Sequence, residues 1–272
     1  MPAIAPSYFL DPGVLADTLE SMRAGAPLVQ CLTNAVVTNF TANVLLASGA
    51  SAAMVDFPGE SGDFAALASS VLVNLGTPGS EQRASMREAV AAATVAHTPW
   101  VLDPVAIGAL RIRTSLAHEF AAASPTVIRG NPSEILVLAG SGGGGRGVES
   151  TDSVTAAAHA ARQLALRTGA VVAVSGATDL ITDGRRSVHV HGGSPMLTRI
   201  TGGGCALGAI CAAFLPVHPD PLVATVSAHA FYSAAATRAE AMSLGPGSFA
   251  PAFLDALHLL SPDQHRATAV LS

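Results

Sequence analysis

The chain has 272 residues, of which 50% are hydrophobic and 12% are charged, and its formal net charge at pH 7 is −5. All 14 of its basic residues other than histidine are arginines, so P-loop kinases and Schiff-base enzymes, which both need a lysine, are excluded. No basic run is present, which argues against a nucleic-acid partner, and no uninterrupted apolar stretch approaches the ~20 residues of a membrane helix.

Short apolar runs alternate with alanine-rich stretches along the chain. The predicted strands span residues 28–32, 52–55, 71–75, 100–103, 126–128, 171–174, 178–182 and 187–191. The predicted helices span residues 12–24, 36–48, 64–70, 80–96, 115–123, 133–139, 152–168, 205–215, 221–242 and 248–260. Strands that are buried on both faces read as continuous apolar runs, as several of these do. The alternation predicts an α/β fold, with a mostly parallel sheet flanked by helices and residues 1–272 forming one domain.

Two segments interrupt this rhythm. Residues 140–147 are rich in glycine, and we interpret them as a flexible surface loop without a phosphate-binding role. Arg111 and Arg113 follow Gly108, and we expect them on a mobile loop, as weaker candidates for phosphate contacts.

Composition also bears on assembly and location. A typical soluble domain has about 25% charged residues, so 12% predicts that part of the surface is buried in a homo-oligomer. The first 11 residues lack a basic segment followed by an apolar core, so no signal peptide is predicted. The expected location is the cytoplasm.

Polar or glycine residues end or follow nearly every predicted strand. They are Thr33 and Asn34, Asp56, Asn74 and Gly76, Asp103, Arg129 and Asn131, and Ser175. Ligands of open parallel sheets bind beyond the carboxyl ends of the strands. The sequence therefore predicts one shared pocket at that edge.

A run of three glycines, Gly202, Gly203 and Gly204, leads directly into a predicted helix that begins at Cys205. Unpaired N–H groups at a helix start bind anions, and a thiol in the first turn is expected to have a lowered pKa. This combination suggests phosphoryl transfer to an alcohol. Two simpler interpretations remain open: the glycines form only a tight turn, or Cys205 is only a small buried hydrophobe.

Asn131 and Glu134 have a local explanation as a helix cap, with Pro132 at the first helical position. The functional alternative is that Glu134 and Asn131 hold a hydrated Mg²⁺ beside nucleotide phosphates, with Asp103 as the second carboxylate. Arg129 ends its strand just before this cap. It either binds phosphate oxygens or forms an ordinary salt bridge with Glu134.

Seven ordered motifs resemble the hydroxyethylthiazole kinase family of the ribokinase-like superfamily. They lie at residues 31–54, 72–77, 101–109, 128–135, 174–179, 201–208 and 245–249. The resemblance implies a three-layer ribokinase-like sandwich. It also implies phosphorylation of the hydroxyethyl group of 4-methyl-5-(2-hydroxyethyl)thiazole by ATP with Mg²⁺, in thiamine salvage, by a homotrimer with active sites at subunit interfaces.

The same resemblance implies roles for individual residues. The thiazole would be contacted or enclosed by Met54, Gly202, Asn34, Val36 and Gly76. Arg129 and Ser175 would contact ATP, Asp103 and Glu134 would lie near Mg²⁺ and the phosphates, and Cys205 would face the substrate hydroxyl.

Ala35 departs from the family pattern, because a second asparagine usually stands there. Two alternatives stay open. One is another vitamin-precursor kinase, of the hydroxymethylpyrimidine or pyridoxal type, although such kinases generally have aspartate where this chain has Cys205. The other is a catalytically silent protein that binds a thiamine precursor.

Overall fold

A computed structural model describes residues 10–141 and 151–272 of the chain, and side chains at 151–156 are outside the description. Most of the predicted glycine-rich loop at 140–147 therefore lies outside the described residues.

The described residues form a sheet whose strands follow the order β2-β1-β3-β4-β5-β6-β7-β8-β9. The strands are β1 (Leu28–Leu32), β2 (Ser51–Ala53), β3 (Ser70–Asn74), β4 (Trp100–Asp103), β5 (Val127–Gly130), β6 (Val171–Val174), β7 (Thr178–Thr182), β8 (Ser187–His191) and β9 (Val270–Leu271). Neighbouring strands from β2 through β6 pair in parallel, whereas β7, β8 and β9 pair antiparallel. The carboxyl ends of β1 to β6 therefore meet at one edge.

Helices connect and cover these strands. They are α1 (Pro12–Gly25), α2 (Thr38–Ser48), α3 (Ser61–Leu67), α4 (Ser80–Ala96), α5 (Arg111–Ala121), α6 (Pro132–Ala139), α7 (Thr151–Thr168), α8 (Cys205–Phe214), α9 (Pro221–Ala241), α10 (Pro246–Leu259) and α11 (Pro262–Thr268). Two short 3₁₀ segments, Pro195–Arg199 and Leu215–Val217, flank α8.

Alternate residues of the central strands pack on opposite faces of the sheet. In β3, Leu72 belongs to the core shared with α1, α2, α8, α9 and α10, whereas Val71 and Val73 belong to the core shared with α4 to α7. Side chains of a strand point alternately to its two faces, so an all-apolar strand is buried on both. The predicted three-layer arrangement is confirmed.

Several predicted boundaries are wrong. Strand β2 ends at Ala53, so Met54 lies just beyond it, and α5 begins at Arg111, so Arg111 and Arg113 lie on a helix rather than on a loop. The start of α5 lacks a side-chain cap, which removes the usual sequence signal.

The last two elements, α11 and β9, were not predicted. Helix α11 starts with a capping box between Ser261 and Gln264, with Pro262 at its first position, so a readable signal was present.

None of the helices within the described residues combines the length and the hydropathy that crossing a bilayer requires.

Candidate active site

A chain of two buried side-chain amides and one carboxylate runs along the carboxyl ends of β1, β3 and β4. Asn34 Nδ2 donates to Asn74 Oδ1 at 3.0 Å and to Cys205 Sγ at 3.5 Å. Asn74 Nδ2 donates in turn to Asp103 Oδ2 at 2.8 Å. The parallel topology brings these residues together from distant parts of the sequence, so the predicted shared pocket has a hydrogen-bonded floor.

Gly76 makes this floor possible. A Cβ atom at Gly76 would lie 2.5 Å from Asn34 Cβ and 2.5 Å from its Nδ2, well inside contact distance. The Gly76 amide also donates to Asn74 Oδ1 at 3.0 Å. Gly76 is thus required for close approach rather than for an unusual backbone angle.

Asp103 is fully buried at the end of β4, with Arg129 Nη1 3.7 Å from its Oδ2. Burial raises the pKa of the Asp103 carboxyl to about 7, against the opposing effects of Arg129 and of the Asn74 hydrogen bond. Among the described residues, Asp103 Oδ1 has no hydrogen-bond partner. A buried carboxylate oxygen without a protein partner is available to a cation or to a bound water.

Arg129 is held by Ser175. Its Nε and Nη2 atoms donate to Ser175 Oγ at 3.1 and 2.9 Å, and its guanidinium is nearly buried. The simpler interpretation, a salt bridge between Arg129 and Glu134, is wrong for the described residues, because the carboxylate that pairs with Arg129 is that of Asp103. A Cβ at Gly204 would lie 3.9 Å from Arg129 Nη1 and Nη2, so the guanidinium lies beside the glycine turn.

The glycine turn precedes α8, as predicted. Gly202 has a φ of +94°, which favours glycine, and a Cβ at Gly203 would lie 2.3 Å from Leu197 O, which no side chain tolerates. The Gly203 amide makes a long bond of 3.5 Å to Ile200 O. Within the part of the chain that the structure describes, the amides of Gly202, Gly204 and Cys205 have no acceptor. Those N–H groups are free to bind an anion.

The prediction of a lowered pKa at Cys205 is wrong. Cys205 is half-buried, and burial raises the pKa of its thiol, with a further contribution from the charge of Asp103. Hydrogen bonds from Asn34 and Asn74 and the charge of Arg129 oppose this change without reversing it. Desolvation is the largest cause of the raised pKa, and it depends on burial rather than on the local position at a helix start, on which the prediction relied.

Glu134 forms the predicted capping box. Asn131 Oδ1 accepts from the Glu134 amide at 2.9 Å, and Glu134 Oε2 accepts from the Asn131 amide at 2.8 Å. Glu134 Oε1 accepts from the amide of Ala106, in the loop that follows β4, also at 2.8 Å. Glu134 therefore fixes this loop next to Asp103, in addition to capping α6.

The fit of Mg²⁺ can be judged from these carboxylates. No group of three or more histidine, cysteine or acidic side chains that could hold a metal occurs among the described residues. Mg²⁺ needs no such group, because it binds through one or two carboxylates and keeps waters or phosphate oxygens. The unpartnered oxygen of Asp103 fits this requirement, and Glu134 retains lone pairs beyond its two amide bonds.

Two further predicted residues, Val36 and Met54, follow β1 and β2 in the chain. Val36 is 68% exposed in the segment between β1 and α2. Met54, just after β2, is half-buried and packs against the core on the α8 side of the sheet.

Three functional candidates were missed by sequence reasoning: Asp179, His229 and Tyr232. Asp179 lies within a motif that carried the resemblance, and His229 and Tyr232 lie on α9. All three are buried, and Tyr232 Oη donates to Gly203 O at 2.7 Å. A lone histidine or tyrosine in an apolar helix carries no sequence signal of such contacts.

Comparison with known proteins gives consistent matches. A family model described as "Hydroxyethylthiazole kinase family" matches residues 19–263. A hydroxyethylthiazole kinase of Clavibacter sepedonicus is 60% identical over 248 residues, covering 91% of this chain and 90% of its own. One of Kineococcus radiotolerans is 51% identical over 267 residues, covering 98% and 97%.

Solved structures agree. The structure of a hydroxyethylthiazole kinase protein from Pyrococcus horikoshii matches with a TM-score of 0.88 and 36% identity, covering 95% of this chain and 98% of its own. The pyridoxal kinase from Staphylococcus aureus in complex with pyridoxal matches with a TM-score of 0.59 and 17% identity, covering 78% and 88%. The second likeness bears on the fold alone, which is the ribokinase-like fold.

Proposed function

The chain belongs to the hydroxyethylthiazole kinase family, and we propose that it transfers the γ-phosphoryl group of ATP to the hydroxyl of 4-methyl-5-(2-hydroxyethyl)thiazole. One observation carries this proposal. The free amides of Gly204 and Cys205 adjoin the Cys205 thiol, and Arg129 lies beside the same turn. An anion site, a proton acceptor and a phosphate-binding cation thus share one edge of the sheet.

The reaction forms a bond between the substrate hydroxyl oxygen and the γ-phosphorus and breaks the bond from that phosphorus to ADP. The amides of Gly202, Gly204 and Cys205 stabilise the charge on the transferred group, and Arg129 neutralises phosphate charge. The hydroxyl proton passes to the sulfur of Cys205, whose thiolate is the reactive form. Phosphoryl transfer is usually loose, so this proton leaves late and a small thiolate fraction suffices.

Asp103 and Glu134 are the residues that would hold Mg²⁺, which, when bound, shields phosphate charge. Asp103 supplies a carboxylate oxygen without a protein partner. Glu134 keeps the loop after β4 in place through the Ala106 amide, so it orders the neighbourhood of Asp103.

Asn34, Val36, Met54, Gly76 and Gly202 are proposed to form the thiazole pocket. Asn34 and Gly76 form part of the floor beside Cys205. Val36 and Met54 border it from the ends of β1 and β2, and Ala35 leaves more room there than the usual asparagine.

We propose a homotrimer with active sites at subunit interfaces. Val36, Leu46 and Phe57 are apolar yet 68%, 59% and 62% exposed. They lie near β1 and β2, on the side of the sheet where β2 is the edge strand. Burial of this surface against a neighbouring subunit would close the thiazole pocket around Val36. Light scattering at micromolar concentration should give three times the chain mass of 27.2 kDa, and a monomer would remove this proposal.

The whole chain is proposed to act as one kinase domain, since the family match spans nearly all of it. The proposed location is the cytoplasm.

The test of function is ADP release with the thiazole alcohol as sole acceptor, beside hydroxymethylpyrimidine and pyridoxal. Turnover with the thiazole alcohol well above the other two supports the proposal. A preference for either rival, or ATP–Mg²⁺ binding without turnover, would replace it.

A further inference from the structure

Two buried side chains on one face of α9 contact the site from behind. His229 and Tyr232 are three residues apart, which places them on neighbouring turns of the same helix face. Both are almost completely buried, and neither has a role in the reaction described above. Each makes one short polar contact; one leads to Ser175 and Arg129, and the other leads to the glycine turn.

The contact of His229 leads to the arginine side. His229 Nδ1 is 2.7 Å from Asp179 Oδ2, and Asp179 Oδ1 accepts from the Gly176 amide at 2.9 Å. Gly176 directly follows Ser175, whose hydroxyl receives both hydrogen bonds from Arg129. The His229 ring is therefore connected to the Arg129 guanidinium through the Asp179 carboxylate and the backbone turn that carries Ser175.

The contact of Tyr232 leads to the glycine side. Tyr232 Oη donates to the carbonyl oxygen of Gly203 at 2.7 Å, from a ring that packs edge-on against Phe253 with centroids 4.8 Å apart. The Gly203 carbonyl belongs to the peptide unit that carries the Gly204 amide. Because a peptide unit is planar, holding this carbonyl also fixes the direction of that N–H.

Charge strengthens the first contact. Burial alone would lower the pKa of His229, but the adjoining Cys211 and Asp179 outweigh it and raise the pKa to about 9. Burial likewise opposes ionisation of Asp179, yet His229, the Gly176 amide and Arg129 together lower the pKa of its carboxyl. Both directions favour the ionised forms of His229 and Asp179, and a charge-assisted bond is shorter and stronger than a neutral one.

We propose that His229 and Tyr232 are positioning residues that set the placement of Arg129 and Ser175 relative to the amides of the glycine turn. One rigid helix thereby fixes both sides of the phosphate site. This inference rests on the proposed kinase function. A purely structural role is the alternative, in which the two contacts stabilise the fold and leave the phosphate site unaffected.

The test uses conservative variants of the full-length protein, Tyr232→Phe and Asp179→Asn, assayed for kcat, for KM of each substrate and for melting temperature. Tyr232→Phe should lower kcat about tenfold with little change in KM for ATP, since it loosens an amide that acts on the transferred group. Asp179→Asn should raise KM for ATP about tenfold, since it loosens the Ser175–Arg129 arm. Both effects are below the ~10²-fold cost of a 1 Å misplacement.

Thr225→Val is the matched control. Thr225 is a buried residue of α9 whose hydroxyl bonds only within the helix, to Pro221 O at 2.7 Å. It should change the melting temperature without changing kcat or KM. If Tyr232→Phe and Asp179→Asn remain folded and likewise leave kcat and KM unchanged, the positioning role is wrong. An inactive wild-type protein would instead overturn the proposed function. The positioning role would then be tested by calorimetry with ATP–Mg²⁺, because it requires that Asp179→Asn still weakens nucleotide binding.

Discussion

The side-chain amide of Asn34 donates to the sulfur of Cys205 across 3.5 Å, which joins the end of β1 to the first turn of α8. The same nitrogen donates to Asn74, and through it the sulfur is connected to Asp103. The thiol is thereby oriented by the strand ends rather than by its own helix. This relationship makes the placement of Cys205 sensitive to residues that do not touch the phosphoryl group.

Replacement of Asn34 by alanine should lower kcat about tenfold, because a lost orienting hydrogen bond of roughly 1.4 kcal/mol corresponds to that factor. The measurement is steady-state turnover with the thiazole alcohol. Thr94→Ala is the control, since the hydroxyl of Thr94 donates to Val90 O within α4. Equal activity of the two variants would show that Asn34 does not orient the thiol.

Gly76→Ala should reduce kcat/KM by about 10²-fold, because the added Cβ would lie 2.5 Å from Asn34 and displace it from Cys205. Gly79→Ala provides the comparison, since a Cβ there meets nothing within 4 Å and its φ of −58° suits any residue. Full activity of Gly76→Ala would mean that the floor tolerates movement of Asn34.

Arg129→Lys should raise KM for ATP about tenfold, because lysine keeps the charge but cannot reproduce the forked contact with Ser175. Arg162→Lys is the control. Arg162 also donates a hydrogen bond to a serine hydroxyl, that of Ser187 at the start of β8. This variant should leave KM unchanged. An unchanged KM in both variants would place the nucleotide phosphates away from Arg129.

The pH dependence follows from the raised pKa of the Cys205 thiol. Since the thiolate is the proposed acceptor and its folded pKa lies above the ordinary 9.0, kcat at saturating ATP should still increase as the pH rises through 9. In Cys205→Asp the carboxylate ionises at far lower pH, so the same profile should level off earlier. Superimposable profiles would show that this side chain does not receive the proton.

Sequence reasoning succeeded where the signal was local or repeated. The capping box of Asn131 and Glu134 was readable from four adjacent residues, and the strand-end rule placed Asp103, Arg129 and Ser175 at one edge. The motif at Gly202 to Cys205 likewise indicated the start of α8.

Tertiary effects were not readable in this way. The pKa of Cys205 depends on how deeply α8 is buried, which no local pattern reports. Asn74 was recognised as a strand end, yet its bonds to Asn34 and Asp103 depend on how three strands align. The pairing of His229 with Asp179 joins residues 50 positions apart, and a single histidine in an apolar helix gives no sign of it.

The most direct test of the phosphate site is turnover of Cys205→Ala with the thiazole alcohol as sole acceptor, beside Cys205→Asp and the buried-thiol control Cys31→Ala. With the proton acceptor removed, kcat of Cys205→Ala should fall by roughly 10²-fold or more, whereas Cys205→Asp stays active and Cys31→Ala turns over normally. Wild-type turnover in Cys205→Ala would contradict the account, because the sulfur at the glycine turn would then have no part in the reaction.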